Sequence, residues 1–290
     1  MEQNIYIPPS CRPLSEDTAK QQIRLGLQGF PGTGKDWSIL GTPDGIQLGF
    51  PNPIVLNIDR GLGAHSGCSH ILEMPFYKMY KRPEQKDKII EWLDREGAKL
   101  TESQTLVVDS LSSIEQIYHM WFKANESALA VGSNGQYNNF IEWQIKEKFF
   151  SEIHVMLKSF KCNVVLLCHE SERPDKATSP GQPGSYTGKI RPLLSGKYGD
   201  QLVREYTDWF RQSCANKTSD PKEDTLKNFR MTKSEFMSMQ NGFIGETIYY
   251  WQTKGTDQFD AKASSLVNPP TFIPATYSSF LKYSRTTNNK

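Results

Sequence analysis

The stretch Gly29-Phe30-Pro31-Gly32-Thr33-Gly34-Lys35-Asp36 constrains this chain more than any other. It follows a short apolar run, IRLGL, at residues 23–27. Glycines let consecutive backbone N–H groups curl inward around an anion, and a helix beginning at Lys35 aims its positive end at the same point. The pattern G-x-x-x-x-G-K-[ST] is met at every fixed position but the last. The expected phosphate contacts are therefore Gly29, Gly32, Thr33, Gly34, Lys35 and Asp36, with Lys35 bridging the outer phosphates of a bound nucleotide. The last position ordinarily carries a hydroxyl that ligates Mg2+. Here it carries the Asp36 carboxylate.

Three further apolar runs end in a polar side chain. Residues 54–58 (IVLNI) lead to Asp59, residues 105–108 (TLVV) to Asp109, and residues 163–168 (NVVLLC) to His169. Near-continuous apolar runs of this length read as strands buried on both faces. Helical spacing at residues 84–99, 114–128 and 138–160 separates them, the last with Phe140, Trp143, Phe149, Ile153 and Met156 on one stripe. Strands alternating with helices predict an α/β fold with a mostly parallel central sheet flanked by helices. Ligands of such sheets sit at the carboxyl ends of the strands, so Lys35, Asp59, Asp109 and His169 are expected to converge. Residues 22–27 are expected to form the first strand, and residues 203–212 and 246–253 two later ones. Trp92, Trp143 and Trp209 read as core residues.

The chemistry assigns each a role and an alternative. Asp109 holds Mg2+ through a water, or caps a helix starting at Leu111. Asp36 is the second metal candidate. Asp59 activates the attacking water, or begins a turn before Arg60-Gly61. His169 touches the terminal phosphate or its water, or is an ordinary strand-end histidine; Glu170 beside it is a further acid–base candidate.

Residues 171–188 are rich in Gly, Pro and Ser, and read as a long flexible loop. Arg173, Lys176, Tyr186, Lys189 and Arg191 lie in it or at its exit. Basic residues with an aromatic suit single-stranded nucleic acid, and equally a solvated loop. The charged stretch 216–235 reads as a surface excursion, residues 1–20 as an extended lead-in, 21–265 as the core and 266–290 as a polar tail. A net charge of +2, from 34 Lys+Arg against 32 Asp+Glu, excludes a protein that coats nucleic acid by charge alone. The five cysteines form no C-x-x-C pair, and His65, Cys68 and His70 lack zinc spacing, so neither a disulfide framework nor a zinc ribbon is expected. No apolar run nears the ~20 residues of a membrane helix, and the first residues do not pattern as a signal peptide. The expected location is the cytoplasm.

Taken together, GFPGTGKD, TLVVDS, LLCHE with its Gly/Pro-rich sequel, LLSGKYGD and the pair Ala261-Lys262 resemble the bacteriophage RecA-core ATPases, shortened RecA relatives linked to single-strand annealing recombination. The resemblance covers about residues 20–265. It implies a RecA-like P-loop NTPase core, ATP with Mg2+, single-stranded DNA at the loop after the His169 strand, and ring or filament assembly. It also implies a basic residue acting in trans at a neighbour's nucleotide; Lys262 and Arg191 are the candidates. The chain departs from the family at Asp36 and in lacking a Glu near Asp59, which implies slow hydrolysis. A nucleotide-binding regulator with impaired hydrolysis and a DNA-translocating motor are the competing expectations.

Overall fold

Apolar residues on successive strand positions need cover on both faces, and the chain supplies it with two layers. The computed structural model describes residues 22–41, 49–79, 82–129, 138–174, 186–195, 198–243, 245–256 and 259–284. Its strands are β1 (Arg24–Gly29), β2 (Pro53–Asn57), β3 (Leu72–Pro75), β4 (Thr105–Asp109), β5 (Asn163–Pro174), β6 (Tyr186–Pro192), β7 (Asp208–Asn216), β8 (Thr247–Gln252), β9 (Lys262–Ala263) and β10 (Phe272–Pro274). Its helices are α1 (Lys35–Leu40), α2 (Phe76–Met79), α3 (Arg82–Arg95), α4 (Leu111–Leu129), α5 (Asn139–Ser159), α6 (Tyr198–Glu205), α7 (Glu223–Phe229), α8 (Lys233–Asn241) and α9 (Tyr277–Tyr283).

The main sheet runs β10-β8-β7-β1-β5-β4-β2-β3. From β7 to β3 all neighbours are parallel; β8 and β10 extend the sheet antiparallel. This is the α/β P-loop fold, with a mostly parallel sheet between helices. The alternation of side chains along each strand splits the core in two. Leu106, Val108, Val164 and Leu166 face Ile114, Phe122, Phe150 and Ile153 of α4 and α5. Val107, Val165 and Leu167 face the opposite layer with Ile39, Phe210, Trp251 and Phe280. Each such side chain contributes about 1.5–3 kcal/mol on burial.

Several local expectations change. Residues 171–174 continue β5, and β6 pairs antiparallel with it, so both ends of the segment read as a loop are paired strands. Gly, Pro and Ser concentrate in residues 175–185, which lie outside the described residues, as do residues 1–21. The strand expected over 203–212 begins only at Asp208. Leu202 and Tyr206, four apart and both buried, place the preceding turns in helix. The charged stretch 216–235 reaches into α7 and α8, whose Phe229 and Phe236 form a small core with Phe243 and Ile248. Charge between the aromatics hid that spacing. The residues read as a tail supply β10 and α9, with Phe280 buried among Phe50 and Phe210. Trp209 is buried, but Trp143 is 47% exposed and stacks on Phe140, itself 59% exposed, so the α5 stripe is not wholly a core stripe.

Candidate functional site

Strand register sets the site. Gly29 pairs with His169, and Asn57 with Asp109, which brings the ends of β1, β2 and β4 level with His169, the last residue of β5 that pairs with β1. The strand between β1 and β4 in space is β5, with His169; the strand of Asp59 lies on the far side of β4.

After β1 the chain turns through Gly32 (φ 80°) and Gly34 (φ 75°), a region that L side chains rarely enter, and then begins α1. Lys35 is only 6% exposed, and its Nζ donates to the carbonyls of Gly29 (2.9 Å) and Phe30 (3.2 Å). Thr33 Oγ1 donates to Phe30 O at 2.8 Å. Burial pulls the Lys35 ammonium below its ordinary value, and the carboxylates of Asp36 and Asp109 oppose that pull.

Asp36 stands in the first turn of α1, and Asp109 ends β4. Burial pushes the Asp109 carboxyl well above the usual range, and Asp36 and Asp59 add to it. Asp36 is raised too, by burial first, against the pull of Lys35 and His169. Gly61 lies between them: a Cβ there would come within 3.1 Å of Asp109 Oδ2 and 3.8 Å of Asp36 Oδ2. Two repelling carboxylates around a space that a methyl group would fill fit a hard divalent cation, since Mg2+ takes one or two carboxylates and keeps waters and phosphate oxygens for the rest.

Asp59 sits two residues past β2, in a turn that Asn57 shapes by accepting from Arg60 N–H at 3.0 Å. Its carboxylate accepts from Ser110 Oγ at 2.7 Å and faces His169 Nε2 at 3.4 Å. Burial opposes its charge, but hydrogen bonds from His169, Ser113 and Ser110 outweigh it and hold the carboxyl below the usual range. The His169 backbone N–H donates to Ser112 Oγ at 3.1 Å, tying the middle of β5 to the first turn of α4. Glu170 has a fully buried carboxylate, paired with Arg211 Nε at 3.0 Å. That pairing occupies it.

The structure thus gathers Lys35, Asp36, Asp59, Asp109 and His169. Arg173 lies on β5, which continues past His169, and Tyr186, Lys189 and Arg191 on β6, its antiparallel partner; Lys176 lies outside the described residues. Arg191 and Lys262 line a cavity of about 390 Å³ with Arg204 and Asp260. Lys262 Nζ already donates to the carbonyls of Arg204 (2.9 Å) and Tyr206 (2.8 Å). Sequence reasoning missed Gly61, Gln212 and Tyr249. Gly61 carried a signal, a glycine just past a strand-end carboxylate. Gln212 and Tyr249 reach the loop from more than 170 positions away, and nothing local marks them.

The chain matches the family described as AAA domain over residues 21–264. No curated protein sequence matches it. Among solved structures it is similar to the RadB recombinase, with 10% identity, a TM-score of 0.32, and coverage of 68% of this chain and 77% of that one. It is also similar to the ATPase EscN of the enteropathogenic E. coli type III secretion system, solved with its central stalk EscO. That match has 12% identity, a TM-score of 0.34, and covers 66% of this chain and 42% of that one.

Proposed function

The chain belongs to the AAA domain family of P-loop nucleotide-binding ATPases, and from the resemblance of its motifs to the bacteriophage RecA-core ATPases we propose an ATP-dependent protein acting on single-stranded DNA in recombination or annealing. The observation that carries this reading is the convergence of Lys35, Asp36, Asp109, Asp59 and His169 at one sheet edge, with the paired strands β5 and β6, which carry basic residues, continuing from His169.

The residues divide the work. The loop from Gly29 to Lys35 grips the phosphates by backbone N–H groups and one ammonium. Asp36 and Asp109 would hold Mg2+, which when bound neutralises charge on the outer phosphates. Asp59, kept ionised by its hydrogen bonds, takes the proton from the attacking water, and His169 orients that carboxylate. Arg173, Lys176, Tyr186, Lys189 and Arg191 would bind the single strand, by charge and stacking. Assembly as a ring or filament would bring Arg191 or Lys262 to a neighbour's nucleotide.

The test is the ATPase rate with and without single-stranded DNA, beside a mass measurement of the assembly. Slow Mg2+-dependent turnover, raised by DNA, is expected, and Lys189→Ala with Arg191→Ala should weaken DNA binding and flatten its salt dependence. Nucleotide binding with neither turnover nor a DNA effect would instead establish a nucleotide-binding regulator, the reading that the Asp36 departure favours. No nucleotide binding at all overturns both.

A further inference from the structure

We propose that Gln212 is a positioning residue that holds the phosphate loop in its anion-binding shape through a relay from Trp251 to Thr33. The inference rests on the reading of that loop as a nucleotide site.

Gln212 on β7 and Trp251 on β8 are register partners, 1% and 0% exposed. Trp251 Nε1 donates to Gln212 Oε1 at 2.7 Å, and Gln212 Nε2 donates to Thr33 O at 3.1 Å. The indole N–H only donates and the carbonyl only accepts, so the amide has one orientation that satisfies both. Thr33 lies between the two positive-φ glycines, the softest point of the loop. Its carbonyl and the next N–H, that of Gly34, point opposite ways across one planar peptide. Fixing Thr33 O toward Gln212 therefore also fixes the Gly34 N–H, which points away from that amide.

The same wall holds the loop at its ends. A side chain on Gly29 would start 3.2 Å from Gln212 Cβ and 3.1 Å from Gln212 O. The ring of Tyr249, two residues before Trp251 on β8, occupies the place where a side chain on Gly34 would begin. The adjoining strands β7 and β8 are thus the backing on which the loop is shaped. An interior glutamine joined to a buried indole on one side and to a catalytic loop on the other does more than fill a core.

The test uses the full chain with Gln212→Met, Gln212→Glu and Trp251→Phe. Calorimetry gives the Kd for MgATP and the thermal midpoint, and the ¹⁵N-¹H signal of the Trp251 indole is followed during nucleotide titration. Gln212→Met removes both hydrogen bonds at similar volume, and is expected to weaken MgATP binding roughly tenfold. Gln212→Glu still accepts from Trp251 but as a carboxylate has no N–H for Thr33, and should weaken binding at least as much. Trp251→Phe should cost only about threefold, because the amide keeps its donor. In the unaltered protein the Trp251 indole signal should move on nucleotide binding, while that of Trp143, exposed on α5, stays.

Variants that lose thermal stability but bind MgATP as the unaltered protein does would overturn the proposal, leaving Gln212 a plain core residue. If the variants fail to fold, the indole signal decides, and its standing still at saturating nucleotide overturns the proposal. Failure of the unaltered protein to bind MgATP is a different result: it removes the nucleotide reading of the loop itself.

Discussion

His169 and Asp59 meet across a strand that separates them: Nε2 lies 3.4 Å from Oδ2, although β4 runs between β5 and β2. The contact works because Asp59 is carried past the end of its strand and back over Ser110, which donates to the same oxygen. A carboxylate so held is ionised and aimed, as a general base must be. Asp59→Asn should lower ATP turnover by about 100-fold or more and leave the Kd for MgATP within about twofold. His169→Gln, which can still donate to Asp59, should lose much less. Steady-state turnover beside equilibrium nucleotide binding checks both, and an Asp59→Asn protein of full activity would transfer the role of base elsewhere.

Asp36 places a negative charge where the family pattern has a hydroxyl. Like charges ~4 Å apart at an effective dielectric near 20 repel by about 4 kcal/mol, and solvent reduces this at an open site. A bound cation reverses the sign of the effect. Nucleotide affinity should therefore depend steeply on Mg2+, and Asp36→Thr should raise the affinity measured in EDTA by about tenfold or more while narrowing the difference made by Mg2+. Tight ATP binding by the unaltered protein in EDTA would refute this. Turnover of the Thr variant then separates two roles: a gain means that Asp36 slows the site, a loss that it is a working ligand.

Gly61 makes a sharper probe of the cation, because its φ is not in the left-handed region and alanine costs the backbone little. The added methyl group would stand 3.1 Å from Asp109 Oδ2, inside the space between the carboxylates. Gly61→Ala should keep its thermal midpoint and lose about tenfold in the Mg2+ concentration dependence of nucleotide binding. An unchanged Mg2+ titration would show that the cation sits elsewhere.

The parallel core and the phosphate loop were legible because each is written locally. Runs such as TLVVD and NVVLLC state burial on both faces, and glycines at 29, 32 and 34 state backbone curvature. The edges were less legible. Phe229, Phe236 and Phe280 are spaced for helices, yet charged and polar neighbours dilute the pattern below what a window can register. The site was half legible. Asp59, Asp109 and His169 end apolar runs, so their types could be read, but that Asp59 reaches His169 over Ser110 depends on strand order. Gln212 and Tyr249 depend on an antiparallel pair whose register no local signal announces.

Buried His65 and half-buried His154 should make stability sensitive to mild acid. His154 packs on Tyr206 at 5.1 Å between ring centroids, and burial, helped by Lys158, draws it below its ordinary value of 6.5 against the pull of Glu205. His65 packs on Trp37 at 4.7 Å, and burial, then His70, lowers it likewise. As pH falls through 6.5 the unfolded chain takes up these protons and the folded one does not, so unfolding becomes easier until the folded-state values are passed. Asp36, Asp109 and Glu170, raised in the fold, act in the opposite sense, and Asp59, lowered, matters only at pH below the ordinary carboxylate range. The histidine contribution is therefore read as a difference. Between pH 7.5 and 5.5 the thermal midpoint of His65→Phe/His154→Phe should fall less than that of the unaltered protein, by about 3 °C. Equal slopes would mean that both rings already carry a proton in the fold, or neither takes one up when it opens.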